Sequence, residues 1–150
     1  MATQTIIDQR RIERLAVLAL RFALGTSFLS AVVDRFGGWG PPGARQVSWG
    51  DFAHFVLYTA AVNSFLPNAL IVPLAWVATV AEVLLGVTLI VGIYIRWSAC
   101  LSGLLLGAFA LAMSFSLGIK PPLSYSVFTA SAAAFLLAIV YKPSASREIH

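Results

Sequence analysis

Charged side chains are scarce in this sequence: 11% of its 150 residues are Asp, Glu, Lys or Arg, whereas 59% are hydrophobic. A soluble domain usually carries about 25% charged residues, because its surface must be solvated. The scarcity excludes an ordinary water-facing surface and predicts a chain surrounded by the lipid bilayer. The net charge of +4 does not indicate nucleic-acid binding, because the basic residues stand singly or in short clusters between apolar runs.

Cysteine and histidine are almost absent as well. The single cysteine, Cys100, excludes a disulfide or a C-x-x-C redox pair within these residues. His54 and His150 are too few for bis-histidine haem ligation or a histidine-rich metal site. We therefore predict no metal site, and no bound cofactor is evident. Phosphate-binding loops, HExxH sites and nucleophile elbows are missing too, so the sequence supports neither an NTPase nor a hydrolase.

Long apolar runs are what the sequence does contain. Four of them approach the ~20 residues that cross a bilayer, and a backbone in hydrocarbon must satisfy its own hydrogen bonds by forming helices. We predict an all-α fold: one integral membrane four-helix bundle over residues 1–150. Its transmembrane helices are expected at approximately 12–36, 68–94, 96–117 and 123–141.

The connection between the first two predicted spans is too long for a simple turn. Residues 48–51 (SWGD) resemble a capping box, with an aspartate where glutamate is more usual. The pattern that follows predicts a short amphipathic helix over approximately residues 50–63. We expect this helix in the outer loop, lying at the membrane interface or folded back over the bundle.

Basic residues in the short loops predict the orientation of the chain. Six fall on one side and three on the other, and the excess marks the cytoplasmic side. We therefore expect both termini in the cytoplasm and location in the inner membrane. The six are Arg10, Arg11, Arg14, Arg96, Lys142 and Arg147, and the three are Arg35, Arg45 and Lys120.

Two ionisable residues lie inside the predicted hydrocarbon, Arg21 and Glu82. A charge there costs at least about 2.5–3.5 kcal/mol, so each needs a partner or a wet cavity. At 1.5 Å per residue, Arg21 lies about 12 Å and Glu82 about 21 Å from the inner boundary, a gap that an arginine side chain spans in large part. The sequence predicts a buried Arg21–Glu82 pair, which is either part of a polar pocket or a structural pair that fixes helix register.

A second polar set gathers at the predicted outer end of the bundle. Its histidine is solvated at an interface or, as the alternative, takes part in catalysis. The set is a candidate outer site and comprises Asp34, Arg35, Asp51, His54, Tyr58 and Lys120, with Asn63 nearby.

Small residues recur at every fourth position of the last two predicted spans, a pattern that allows two helix backbones to approach closely. Either the two stripes pack within one chain or they form a homodimer. They consist of Ala99, Gly103 and Gly107 in one span and of Ser126, Ala130, Ala134 and Ala138 in the other.

The order of several short motifs resembles the DoxX family of small four-helix membrane proteins, including its DoxD-like subunits. The motifs are residues 21–25 (RFALG), 34–37 (DRFG), 81–86 (AEVLLG) and 92–99 (GIYIRWSA). The resemblance implies association with sulfur or thiol redox systems, and DoxD-like proteins are similar to the membrane part of a thiosulfate:quinone oxidoreductase. On that pattern Arg21 and Glu82 match the intramembrane polar positions of the family, whereas Arg35 stands where a lysine is more usual.

Three functions follow as hypotheses. The first is an accessory or quinone-interacting subunit of a membrane redox system, without a redox centre of its own and with other membrane or membrane-associated redox proteins as partners. The second is a small solute transporter or channel that uses the intramembrane Glu82. The third is a structural or assembly protein, in which the ion pair sets only the helix register.

Overall fold

The computed structural model describes the backbone of residues 2–141 and the side chains of residues 8–141. All regular structure in that range is helical, and three helices are long and apolar enough to cross a membrane. The prediction of an all-helical membrane protein is confirmed. The helices are α1 (Ala2–Arg35), α2 (Phe52–Val62), α3 (Ile71–Val91), α4 (Ile95–Leu117), α5 (Lys120–Ser124) and α6 (Val127–Val140).

The last predicted span, 123–141, corresponds to two shorter helices. Ser126 has a φ of +56°, a left-handed conformation that interrupts the helix between α5 and α6. At 1.5 Å per residue the 14 residues of α6 extend about 21 Å, less than the ~30 Å of a hydrocarbon core. The short α2 matches the predicted interfacial segment in position and packs against α3 and α4.

The predicted orientation depends partly on Lys142 and Arg147, which lie outside the described residues, and it stays a prediction. The aliphatic side chains that α3 exposes, such as Val77 and Leu84, show where this helix would contact lipid.

Two seams of small residues hold the long helices together. Along α1 and α3, a Cβ on Gly25 would lie only 3.0 Å from the Gly86 carbonyl oxygen, so the two backbones touch. Along α4 and α6, Gly103 lies under the Phe135 ring, and the Ser131 hydroxyl donates to the Gly103 carbonyl at 2.8 Å. The small residues of α4 therefore pack against α6 within one chain, the first of the two arrangements that the stripes allowed.

A buried apolar cluster fills the half of the bundle that contains the α3–α4 turn. All four of the helices α1, α3, α4 and α6 contribute to it. Its members are Leu24, Phe28, Leu85, Leu89, Ile95, Ala99, Ala134, Leu137 and Ala138. The opposite half is built differently, around a buried ion pair and a group of aromatic rings.

Candidate functional site

The centre of that opposite half is an ion pair between the last residue of α1 and the middle of α3. Arg35 Nη2 donates to Glu82 Oε1 at 2.8 Å and lies 2.7 Å from Oε2. Arg35 Nη1 donates to the Thr79 hydroxyl at 2.8 Å, and that hydroxyl donates in turn to the Ala75 carbonyl. Both charged side chains are almost completely covered, with 2% and 3% of their surfaces exposed. Removing one partner of such a pair leaves an uncompensated buried charge.

Aromatic rings cover the guanidinium of Arg35. Its Cζ lies 3.7 Å from the centre of the Phe55 ring and 5.3 Å from that of Trp49. The two rings contact each other edge-on, with centres 5.2 Å apart. A cation held over desolvated aromatic faces gains about 2 kcal/mol. We call Arg35, Glu82, Thr79, Phe55 and Trp49 the arginine hub.

The segment between α1 and α2 folds as a cap over this hub because Asp34 fastens it. Asp34 Oδ2 accepts hydrogen bonds from the backbone N–H groups of Ser48 and Trp49, at 2.9 and 3.1 Å. Gly50, with a φ of +73°, packs directly on the Pro41–Pro42 backbone, where a Cβ would overlap it. The cap brings Trp49 over Arg35 although the two residues are 14 positions apart.

Asp51 caps the N-terminus of α2. Its Oδ1 accepts from the His54 backbone N–H at 2.8 Å and contacts His54 Nδ1 at 2.8 Å. These hydrogen bonds, the backbone one first, hold the pKa of Asp51 below its ordinary value of 3.8. Both side chains are about half exposed, so the contact with His54 explains a helix start rather than a buried site.

The predicted pair between Arg21 and Glu82 is wrong. Arg21 Nε donates to the Leu89 carbonyl at 3.0 Å, and its Nη2 donates to the Ile90 carbonyl at 3.2 Å. These carbonyls belong to the last turn of α3, where helical partners run out and a positive charge is favourable. Arg21 therefore caps the C-terminus of α3, and Arg35 forms the ion pair with Glu82.

Side-chain direction explains why Arg35 is the partner. Helical side chains lean toward the N-terminus of their own helix. In the antiparallel pair α1 and α3, Arg35 and Glu82 therefore lean toward each other, whereas Arg21 leans away from Glu82. The Gly25–Gly86 contact sets the register, which places Arg35 about 9 Å and Arg21 about 12 Å from the level of Glu82 along the axis.

The hydrogen bonds and ion pairs of the described residues do not join the predicted outer polar set into one network. Asp34 and Arg35 are both buried, but they bind different groups. Asp34 accepts from the backbone of the cap, whereas Arg35 donates to Glu82 in the hub. Tyr58 lies beside Trp49, with ring centres 5.9 Å apart, and burial raises its pKa. Lys120 is exposed at the start of α5 and forms no ion pair with the described acidic side chains.

Sequence reasoning missed Thr79, Phe55 and Trp49 as members of the hub. A signal for Thr79 was present, because Thr79 and Glu82 are three residues apart and therefore share a face of α3. The two rings had no comparable signal, since the fold of the cap decides which aromatic side chains reach Arg35.

An open groove runs along the C-terminal half of α1, under the cap, with a volume of about 920 Å³. The buried Asp34 lines it, and its Oδ1 has no hydrogen-bond partner among the described residues. The Trp39 indole N–H donates to the Ser30 carbonyl at 3.1 Å and so holds one wall. The groove is lined by Thr26, Ser27, Leu29, Ser30, Ala31, Val33, Asp34, Trp39, Arg45, Gln46, Ser48 and Trp49.

Among the described residues, no group of three or more His, Cys, Asp or Glu side chains that could hold a metal ion occurs. The polar groups of the groove include the hydroxyls of its serines and threonine and the carboxylate of Asp34, which is almost fully buried.

Comparison with protein families matches residues 13–124 to the model of methylamine utilisation protein MauE. The chain belongs to this family. The MauE match includes α2 to α5, most of α1, and every residue of the hub and the cap, but not α6. No curated protein and no solved structure shows significant similarity to the chain. A small membrane protein family was correctly predicted, whereas the match does not show DoxX itself.

Proposed function

We propose that this MauE-family protein is an accessory, quinone-interacting component of a membrane redox system, with sulfur- or thiol-linked chemistry implied by the resemblance to DoxX. The family name supports methylamine utilisation as the first pathway to test. The one cysteine of these residues cannot cycle between a dithiol and an intramolecular disulfide. In this proposal the protein holds a quinone and a partner, and the electrons are carried by those molecules.

The unpartnered Oδ1 of Asp34, a buried atom of a residue that lines the α1 groove, carries the proposal. An acceptor buried without a partner costs about 1–3 kcal/mol, which a ligand hydroxyl would recover. The hydroxyl of a reduced quinone is such a donor, and the leucine, alanine and valine side chains of the groove suit its apolar part. When bound, the quinone would supply two-electron chemistry. Asp34 Oδ1 would accept a hydrogen bond from the hydroxyl of its reduced form.

Asp34→Asn is the sharpest test, because the backbone fixes how the asparagine must lie. Its amide oxygen has to face the N–H groups of Ser48 and Trp49, so its amide nitrogen replaces the unpartnered acceptor Oδ1. We expect a loss of affinity for reduced quinone of about tenfold or more, with binding of oxidised quinone retained, since a quinone carbonyl accepts from the new N–H.

The measurement is quenching of tryptophan fluorescence by each quinone form in detergent, with quinone extracted from the purified protein as a second readout. Asp51→Asn is the matched control, because it changes an exposed carboxylate of the same outer half and should leave binding unchanged. Equal affinity of wild type and Asp34→Asn for both quinone forms would contradict the proposal.

A structural or assembly role is the second candidate, and the closed arginine hub favours it. Arg35 and Glu82 are covered on all sides, as a pair that fixes register would be. This role predicts that deleting the gene lowers the abundance of a partner protein, and that Asp34→Asn restores that abundance fully. No observation on the described residues favours the transporter hypothesis.

A further inference from the structure

A second groove lies at the other end of the bundle, between α4 and α6. Its volume is about 480 Å³, and its walls are almost entirely apolar. It is lined by Arg96, Trp97, Cys100, Phe135, Ala138 and Ile139. It opens beside the first turn of α4, where the chain leaves the membrane-spanning length of α3.

Arg96 is the one charged residue of this groove, and it has no acidic partner among the described side chains. Its neighbour Trp97 is 68% exposed, and Ile139 on the opposite wall is 77% exposed. A tryptophan beside a basic residue at the end of a span is typical of the headgroup level of a bilayer.

We propose that the α4–α6 groove binds an anionic phospholipid, with the phosphate on the Arg96 guanidinium and one acyl chain along the apolar walls. Charge decides the class of lipid: the lining has one cation and no carboxylate that would pair with the amine of a zwitterionic headgroup. Basic pockets between membrane helices bind anionic headgroups in this way. The proposal does not depend on the proposed quinone groove, which lies beside α1 at the opposite end of the bundle.

Cys100 makes the groove directly testable, because it is the only cysteine of the sequence and is partly exposed on the groove wall. The experiment measures the rate at which a small maleimide alkylates Cys100 in detergent micelles. Dioleoylphosphatidylglycerol or dioleoylphosphatidylcholine is added at matched mole fractions. We expect half-protection of Cys100 at an about fivefold lower fraction of the anionic lipid, the preference that one basic residue provides.

Arg96→Gln should remove the preference between the two lipids, and Arg96→Lys should retain it. Lys120→Gln, which removes an exposed cation from α5 without touching the groove, should behave as the wild type. Equal protection by both lipids in the wild type, or a preference that survives in Arg96→Gln, overturns the proposal. Protection by a quinone but by neither lipid overturns the assignment of the occupant.

Discussion

The two arginines of α1 occupy opposite halves of the bundle and satisfy their charges by different means. Arg35 is buried and binds a carboxylate, a hydroxyl and two aromatic faces. Arg21 is partly exposed and donates to two backbone carbonyls at the end of α3. In this protein the guanidinium that is enclosed by other side chains has a carboxylate as its counter-ion. The guanidinium near the end of a helix is stabilised by backbone carbonyl dipoles instead.

Loss of Glu82 should have the largest effect in this comparison. Glu82→Leu leaves the Arg35 guanidinium buried without a counter-ion, so we expect a loss of roughly 3–5 kcal/mol of unfolding free energy. Reversible unfolding in mixed micelles, followed by circular dichroism, measures it.

The double variant Arg35→Met/Glu82→Leu is the control for that experiment. It removes both charges and replaces them with apolar side chains of similar size, which is often neutral in a buried site. Most of the lost stability should return. A double variant as unstable as Glu82→Leu would mean that the lost stability does not come from the unpaired charge of Arg35.

The glycine seam between the two arginines should have the next largest effect, because it sets which arginine reaches Glu82. Gly25→Val would push against the Gly86 carbonyl and the Ile90 side chain, and overpacking of this kind costs about 1–3 kcal/mol. Unfolding in mixed micelles again gives the value. Gly107→Ala is the matched control in the other seam, where the added Cβ meets only the Ser131 hydroxyl at 3.3 Å; a larger cost there would refute the role given to the α1–α3 contact.

Arg21→Met should destabilise the protein less than Glu82→Leu does. It removes two interhelical hydrogen bonds and leaves no charge unpaired, so we expect roughly 1–2 kcal/mol. Hydrogen exchange should report the change locally, as faster exchange in the last two turns of α3. Arg14→Met, which removes an exposed cation two turns away on the same helix, should leave α3 unchanged. Equal destabilisation by Arg21→Met and Glu82→Leu would erase the distinction between the two arginines.

The smallest effect concerns the N-terminus of α2 and depends on pH. Because the pKa of Asp51 is lower in the folded protein, its contribution to stability is present above the ordinary value of 3.8 and is lost as the pH falls through the lowered pKa. Exchange of the α2 amides, corrected for intrinsic rates, should therefore accelerate below about pH 4. Asp51→Ser keeps a capping oxygen without the charge and should lack this pH dependence; an unchanged profile in that variant would assign the effect to another group.

Much of the fold was predictable because it depends on local pattern. The span of α4 was expected at 96–117 and is found at Ile95–Leu117, since a glycine-containing turn and a Gly-Ile-Lys-Pro-Pro segment bound it. The break at Ser126 was not predictable, because a serine in an apolar run has no strong tendency to adopt a left-handed backbone.

The candidate site was likewise predictable from the sequence only in part. That Glu82 needs a cationic partner followed from its place in an apolar run. That Arg35 is the partner did not follow, because depth counted along one axis ignores the lean of each side chain and the register set at Gly25 and Gly86. The groove beside Asp34 was equally out of reach, since it exists only once the cap has folded onto α1.

The sequence alone determined that this protein is a helical membrane protein, because a chain with so little charge cannot cover a core against water. It also determined that a buried carboxylate would have to be neutralised. Only the tertiary structure decided by which residue, since that choice depends on the distance and direction between side chains on different helices, and these are set where the helices touch.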